Sequence, residues 1–199
     1  MPGWPDALTG DVLDVAPRML GAVLRHTTGE VTVAVRITEV EAYDGQGDPG
    51  SHAFNGRTRR NQVMFGPPGH LYVYFTYGMH HCCNVVVGPE GAASAVLLRG
   101  GEVVEGLDVA RSRRPRSTDR DLARGPARLC QALALDLAQD GADLTAGPVT
   151  LTPAAEPYTD VSTGPRVGLR LAADRPWRFW LTGERTVSTY RPAVPRTTK

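Results

Sequence analysis

The sequence predicts an α+β fold: a curved, mostly antiparallel β-sheet flanked by a few helices, within a single domain spanning 1–199. Three observations predict it. Period-two apolar alternation recurs more often than helical spacing, so strands outnumber helices. The 22 Gly and 16 Pro cut elements short and imply many turns. At 199 residues, with no repeat and no linker long enough to divide it, the chain fits one domain. The hydrophobic and charged fractions, 41% and 22%, are globular values.

In chain order, "DVLDVAPRMLGAVLRH" places apolar residues at 12, 13, 15, 16, 19, 20, 23 and 24, which is helical spacing. Asp11 is its cap, Pro17 a first-turn or kink residue, and Gly21 its stop. "EVTVAVRITEVEAY" (30–43) reads as a half-buried strand with Val31, Val33, Val35 and Ile37 on one face, then Val40. Strict alternation carries Glu39, Glu41 and Tyr43 to the side of those valines. Residues 44–62 are loop by composition. "HLYVYFTY" and "CCNVVV" are strands, joined by a turn at Tyr77-Gly78 that sets Tyr77 at a hairpin tip. "SAVLLRG" is a short buried strand ending at Arg99. "GPARLCQALALDLAQDG" is a helix with Pro126 in its first turn and Gly141 as its stop. "GPVTLTP", "RVGLRLAAD" and "WRFWLTG" complete the strands.

No apolar run reaches the roughly 18 residues of a membrane span. Asp6, Asp11 and Asp14 stand where a secretory signal would be basic. The three Cys, two of them adjacent, do not make a disulfide framework and suit a reducing compartment. The net charge is +1, yet 111–128 carries seven Arg against two Asp, and "RTRR" at 57–60 is a second basic knot. Basic loops on a neutral body suit a polyanion such as nucleic acid; an Arg-rich solvated loop gives the same pattern. Lys199 is the only lysine.

Three clusters could carry chemistry. Inward Glu39, Glu41 and Tyr43 are either an Arg-paired structural set or a carboxylate that activates water. "HHCC" at 80–83 invites zinc, but adjacent strand residues face opposite ways, so only His80 and Cys82 can share a site, and Cys130 is alone on a helix. Tyr72, Tyr74 and Tyr77 fill a core or form a stacking platform for bases.

"EVEAYDGQGDPGSHAFNGRTRRNQVMFGPPGHLYVYFTYGMHHCCNVV", then "AVLLRGGEVVEGLDVARSRR", "LARGPARLCQALAL" and "GPRVGLRLAADRPWRFWLTGERTVS", resemble the alkyladenine (3-methyladenine) DNA glycosylase family in order and nearly end to end. The resemblance implies an enzyme that flips a damaged purine out of duplex DNA and hydrolyses its N-glycosidic bond. By it, Glu41 is the general base for a water attacking C1′, with Arg99 and the Val167 carbonyl orienting that water. Tyr43, His52 and Tyr74 are implied as walls of the base slot, where a cationic alkylated purine gains cation–π attraction. Asn84 is implied at the purine edge, disfavouring the amino group of normal guanine. Tyr77 is the implied wedge, and Arg57, Thr58, Arg60 and Met64 the DNA-contacting loop. The sequence departs from relatives at Val40, often Thr there, in "HHCC", and in "NGRTRRN", one residue shorter than some.

The resemblance also implies double-stranded DNA with damaged purines as partner, no cofactor or metal, no obligate protein partner, and a monomer on the nucleoid of a bacterial cytoplasm. Strand nicking needs an amine nucleophile. Lys199 and a free Pro2 are the only amines and neither has a site around it, so water is the expected nucleophile and an intact abasic site the product. Two other readings stand beside this one. A non-catalytic nucleic-acid-binding module, like the tRNA-binding domain of formyltransferases, would lack the Glu41, Tyr43 and Arg99 present here. A His/Cys hydrolase would use His52, His80 and Cys82.

Overall fold

A computed structural model describes residues 6–76 and 78–194. The elements are α1 (Val12–Arg18), β1 (Val23–Thr28), β2 (Val31–Asp44), β3 (Leu71–Thr76), β4 (His80–Val87), β5 (Ser94–Glu105), α2 (Leu107–Arg113), β6 (Ala123–Arg124), α3 (Pro126–Leu133), β7 (Val149–Thr152), β8 (Val161–Gly164) and β9 (Arg178–Leu181). The strands form one sheet in the order β3-β4-β5-β2-β1-β7, with β6 on β5, and β9 carrying β8 on β2. Every pairing is antiparallel. The α+β expectation therefore holds. Among the described residues no helix is long and apolar enough to cross a membrane.

The sheet has two unlike faces. One is packed by the helices: Val15 and Ala16 of α1 and Leu129 and Leu133 of α3 join Ile37, Val40, Val73, Cys83, Val85 and Leu98 in the main core. The opposite face carries a smaller cluster of Ala53, Met64, Tyr72, Val86, Ala93 and Ala95. Alternation along each strand assigns its residues to one face or the other.

Strand β2 changes face midway, and here strict alternation fails. Its register against β5 slips between Ile37 and Glu39 and again between Glu39 and Val40. These are two β-bulges, with Thr38 the extra residue on β2 and Arg99 the extra residue on β5. Val33, Val35 and Ile37 face the main core before Thr38, and Val40 and Ala42 after it. Glu39, Glu41 and Tyr43 consequently point away from the valines, not with them. Thr38 is fully buried and its hydroxyl lies 2.9 Å from that of Thr186. Gly101 lies opposite Ile37, where a Cβ would come within 2.4 Å of Arg36 O and of Val35 Cγ1.

Several other expectations are corrected. Helix α1 stops at Arg18, and Val23 and Leu24, counted in its helical pattern, belong to β1, which pairs with β2 and β7. Strand pairing there overrides the helical spacing, and Pro17, which lacks an N–H, sits one residue from the helix end. Strand β5 runs six residues past Arg99, to Glu105. Helix α3 ends at Leu133, with Ala134 left-handed (φ 55°) as its cap, rather than at Gly141. Residues 166–174 hold turns and bends rather than a strand, because their backbone serves a side-chain cluster described below. Helix α2 overlaps the start of the basic segment read as loop, at 111–113, and β8 was not anticipated. The hairpin β3–β4 is present, with Thr76 opposite His80; Tyr77 itself, like Pro2 and Lys199, lies outside the described residues.

Candidate active site

The face away from the helices carries a register row. Tyr72 pairs with Asn84, Asn84 with Leu97, Leu97 with Glu41, and Glu41 with Arg178. Antiparallel partners have side chains on the same face, so five strands deliver one line of residues to one place. Above that line is a cavity of about 340 Å³. Tyr43, His52, Tyr74, Asn84, Arg99 and Val167 all line it, together with Met64 and Tyr72.

Glu41 is fully buried behind this lining, bonded to three of its residues, Tyr43, Val167 and Arg99. Tyr43 Oη donates to its Oε2 at 2.8 Å, and the Val167 N–H donates to its Oε1 at 2.7 Å. Arg99 Nη1 is 3.4 Å from Oε1. Burying a carboxylate is costly unless its charge is met by donors and an opposite charge; here both are supplied. Each carboxylate oxygen has two lone pairs, so these donors leave acceptor capacity for a water. The structure thus brings Glu41, Arg99 and Val167 together, with Val167 presenting its amide N–H to the carboxylate.

The electrostatics follow the geometry. Burial works against the Arg99 charge, but Glu41 and Glu39 outweigh it and push its pKa up. Burial, then the Glu41 charge, raises the Tyr43 phenol well above its usual 10.0, so it remains a donor. Burial likewise pushes the Cys82 thiol up to about 11. That thiol lines the cavity, whereas Cys83 faces the main core. His80 is exposed near the hairpin end and absent from the lining. His52 and Cys82 thus share the cavity while His80 lies outside it, and a thiol raised in pKa is a poor nucleophile.

The aromatic walls are in contact. His52 stands edge-on to Tyr74, ring centroids 4.5 Å apart at 80°. Its Nδ1 lies 3.1 Å from Tyr72 Oη. His52 is exposed at the cavity edge, yet partial desolvation of its ring, then the Arg60 charge, lower its pKa, which favours neutral imidazole. Tyr43 is backed by Arg166, whose guanidinium carbon is 4.7 Å from the ring centroid. Arg166 is fully buried, pairs with the fully buried Asp48, and donates to Ala42 O at 2.9 Å. This cluster explains the irregular backbone at 166–174: it fixes Arg166 and Tyr43 and sets the Val167 amide on Glu41.

Arg57, Thr58 and Arg60 lie on the exposed loop, where the Thr58 N–H donates to Asn61 Oδ1 at 2.6 Å. Arg60 reaches back over Tyr74, 5.6 Å from its ring centroid, and donates to Phe75 O at 3.1 Å. Met64 is separate from these three: it is buried in the cavity wall rather than exposed on the loop. Sequence reasoning missed Leu97 as a lining residue, and it named Tyr72 and Cys82 only within other readings. Their signal was available, since they share strand faces with Tyr74, Arg99 and Asn84. It also missed the partners of Arg166 and Arg178, which are distant in sequence and carry no local signal.

A buried, hydrogen-bonded carboxylate beneath an aromatic cavity suits a hydrolase that activates water beside a flat ring. The chain belongs to the Methylpurine-DNA glycosylase (MPG) family, whose profile matches residues 6–185. It is 58% identical over 193 residues to a protein of Streptomyces avermitilis, covering 93% of this chain and 90% of that one. With a protein of Leifsonia xyli subsp. xyli it shares 59% over 196 residues (94% and 91%), and with one of Burkholderia lata 48% over 197 (94% and 94%). All three are provisionally named 3-methyladenine DNA glycosylase.

Proposed function

We propose that this protein is a monofunctional DNA base-excision repair glycosylase that flips alkylated or deaminated purine nucleotides from duplex DNA and hydrolyses their N-glycosidic bond. The observation that carries this reading is the position of Glu41: fully buried, held by the Tyr43 hydroxyl, the Val167 N–H and Arg99, beneath a cavity walled by Tyr43, His52 and Tyr74. The names of the relatives point to 3-methyladenine as a substrate class.

In this mechanism the purine enters between the aromatic rings, and the extrusion costs a few kcal/mol of stacking. Tyr77 fills the gap in the duplex, while Arg57, Thr58 and Arg60 hold the backbone. Glu41 accepts a proton from a water whose oxygen bonds to C1′. The C1′–N bond breaks with its electron pair leaving on the base. A cationic methylated purine departs as a neutral molecule, whereas neutral hypoxanthine needs a proton from elsewhere. Developing positive charge on the sugar is stabilised by the nearby carboxylate. Arg99 and the Val167 carbonyl orient the water, and Asn84 meets the purine edge. Water is the nucleophile and the abasic strand stays intact. The chain acts as one domain, as a monomer, on bacterial DNA.

The test is base release from two labelled duplexes, one with a methylated purine and one with hypoxanthine, by the native protein and by Glu41→Gln. Release that collapses in the variant, leaving an alkali-labile but uncut site, is expected. Binding without release by the native protein would instead support a non-catalytic binding module.

A further inference from the structure

Glu39 lies two residues before Glu41 on the same strand face and is fully buried, with four bonds to its carboxylate. Arg99 Nε donates to Oε1 at 3.1 Å and Arg178 Nε to the same oxygen at 2.6 Å. Ser188 supplies the other two: its Oγ donates to Oε1 at 2.9 Å and its N–H to Oε2 at 2.7 Å. Ser188 Oγ also accepts from Arg99 Nη2 at 3.3 Å, and Arg178 Nη2 donates to Ser188 O at 2.8 Å. Ser188 lies after β9, past residue 185, where the family match ends.

The consequence concerns Arg99. Its Nε and Nη2 edges are both engaged by Glu39 and Ser188. Only Nη1 reaches Glu41, and at 3.4 Å. An unrestrained guanidinium closes on a carboxylate at about 2.7–2.9 Å, often through two parallel bonds. Such a clamp on Glu41 would occupy the lone pairs a water needs. We infer that Glu39 and Ser188 are positioning residues that hold Arg99 close enough to balance the Glu41 charge yet too far to clamp it. Neither touches the reacting atoms. This inference rests on the glycosylase reading above.

The experiment measures single-turnover base release from a duplex with a methylated purine, and separately the affinity for that duplex. It compares the native protein with Glu39→Gln, Ser188→Ala and Ser188→Thr. Ser188→Ala is expected to lower the rate by about tenfold, and Glu39→Gln by more, with affinity within about twofold of native, as for loss of hydrogen bonds to a charged group. Ser188→Thr, which keeps the hydroxyl, is expected to restore the rate. A native rate in Ser188→Ala, a loss confined to affinity, or a Ser188→Thr rate as low as that of Ser188→Ala would overturn the inference alone. If Glu39→Gln does not fold, the two Ser188 variants decide the matter. No release by the native protein would overturn the glycosylase reading, and this inference with it.

Discussion

The amide nitrogen of Val167 lies 2.7 Å from Glu41 Oε1, although 126 residues separate them in the chain. That single bond joins an irregular segment to the buried carboxylate, and the segment is held there by Arg166 and Asp48. Arg166→Met leaves the buried Asp48 carboxylate with Arg175, 3.7 Å away, and the Gly50 N–H at 3.0 Å. Removing one member of a buried pair costs about 3–5 kcal/mol. Thermal or urea unfolding of Arg166→Met should show a loss of that size, and base release should fall with it because both Tyr43 and Val167 lose their support.

The same pair predicts a pH dependence. Burial alone would raise the Asp48 pKa, but the hydrogen bonds and charge of Arg166 outweigh it, and the net shift is downward. A depressed carboxylate contributes stability above its unfolded-state pKa and loses it as pH falls through the folded value. Stability should therefore decline below about pH 4, near the ordinary carboxylate range. Asp48→Asn should be less stable at neutral pH and flatter on the acid side. Denaturant midpoints measured from pH 7 down to pH 3 check both.

Tyr43 carries two separable features, a ring on the cavity and a hydroxyl on Glu41. Tyr43→Phe keeps the ring and removes only the hydrogen bond. The expected outcome is a single-turnover rate lower by about tenfold, the size of a lost bond to a charged group, with affinity for damaged DNA little changed. Because the Tyr43 pKa is raised above 10.0, its titration should add no alkaline limb to the native rate profile below that pH.

Arg57 is exposed on the loop that runs between His52 and Met64, two residues of the cavity lining. If it meets a phosphate, Arg57→Ala should weaken binding to damaged and undamaged duplexes alike. The slope of log affinity against log salt should also shrink by about 0.9. A titration in increasing NaCl measures this directly, and an unchanged slope would remove Arg57 from the DNA interface.

Much of the architecture was legible because alternation is a strong signal. The strands at 71–76, 80–87 and 149–152 fall where the pattern places them. The opposed destinations of Cys82 and Cys83 followed from the same rule. The helix pattern at 12–24 failed because pairing with two strands claimed its second half. "RVGLRLAAD" alternates well enough to read as a strand, yet Arg166 is drawn inward by Asp48, which no local pattern reveals. The grouping of Glu39, Glu41 and Tyr43 was legible and correct in part. Their direction was not, although the three-residue step from Ile37 to Val40 was the sign of it. The partners of Glu39, at 99, 178 and 188, come together only through the sheet.

The bulge at Thr38 gives β2 a parity. Before it, odd-numbered residues face the helices; after it, even-numbered ones do. Substitutions along the strand alter one face at a time, but a single-codon deletion at Thr38 would exchange the faces of everything downstream. Glu39 and Glu41 would be driven among the aliphatic residues while Val40 and Ala42 emptied into the cavity. This stretch of the gene should thus accept changes of letter far more readily than changes of length.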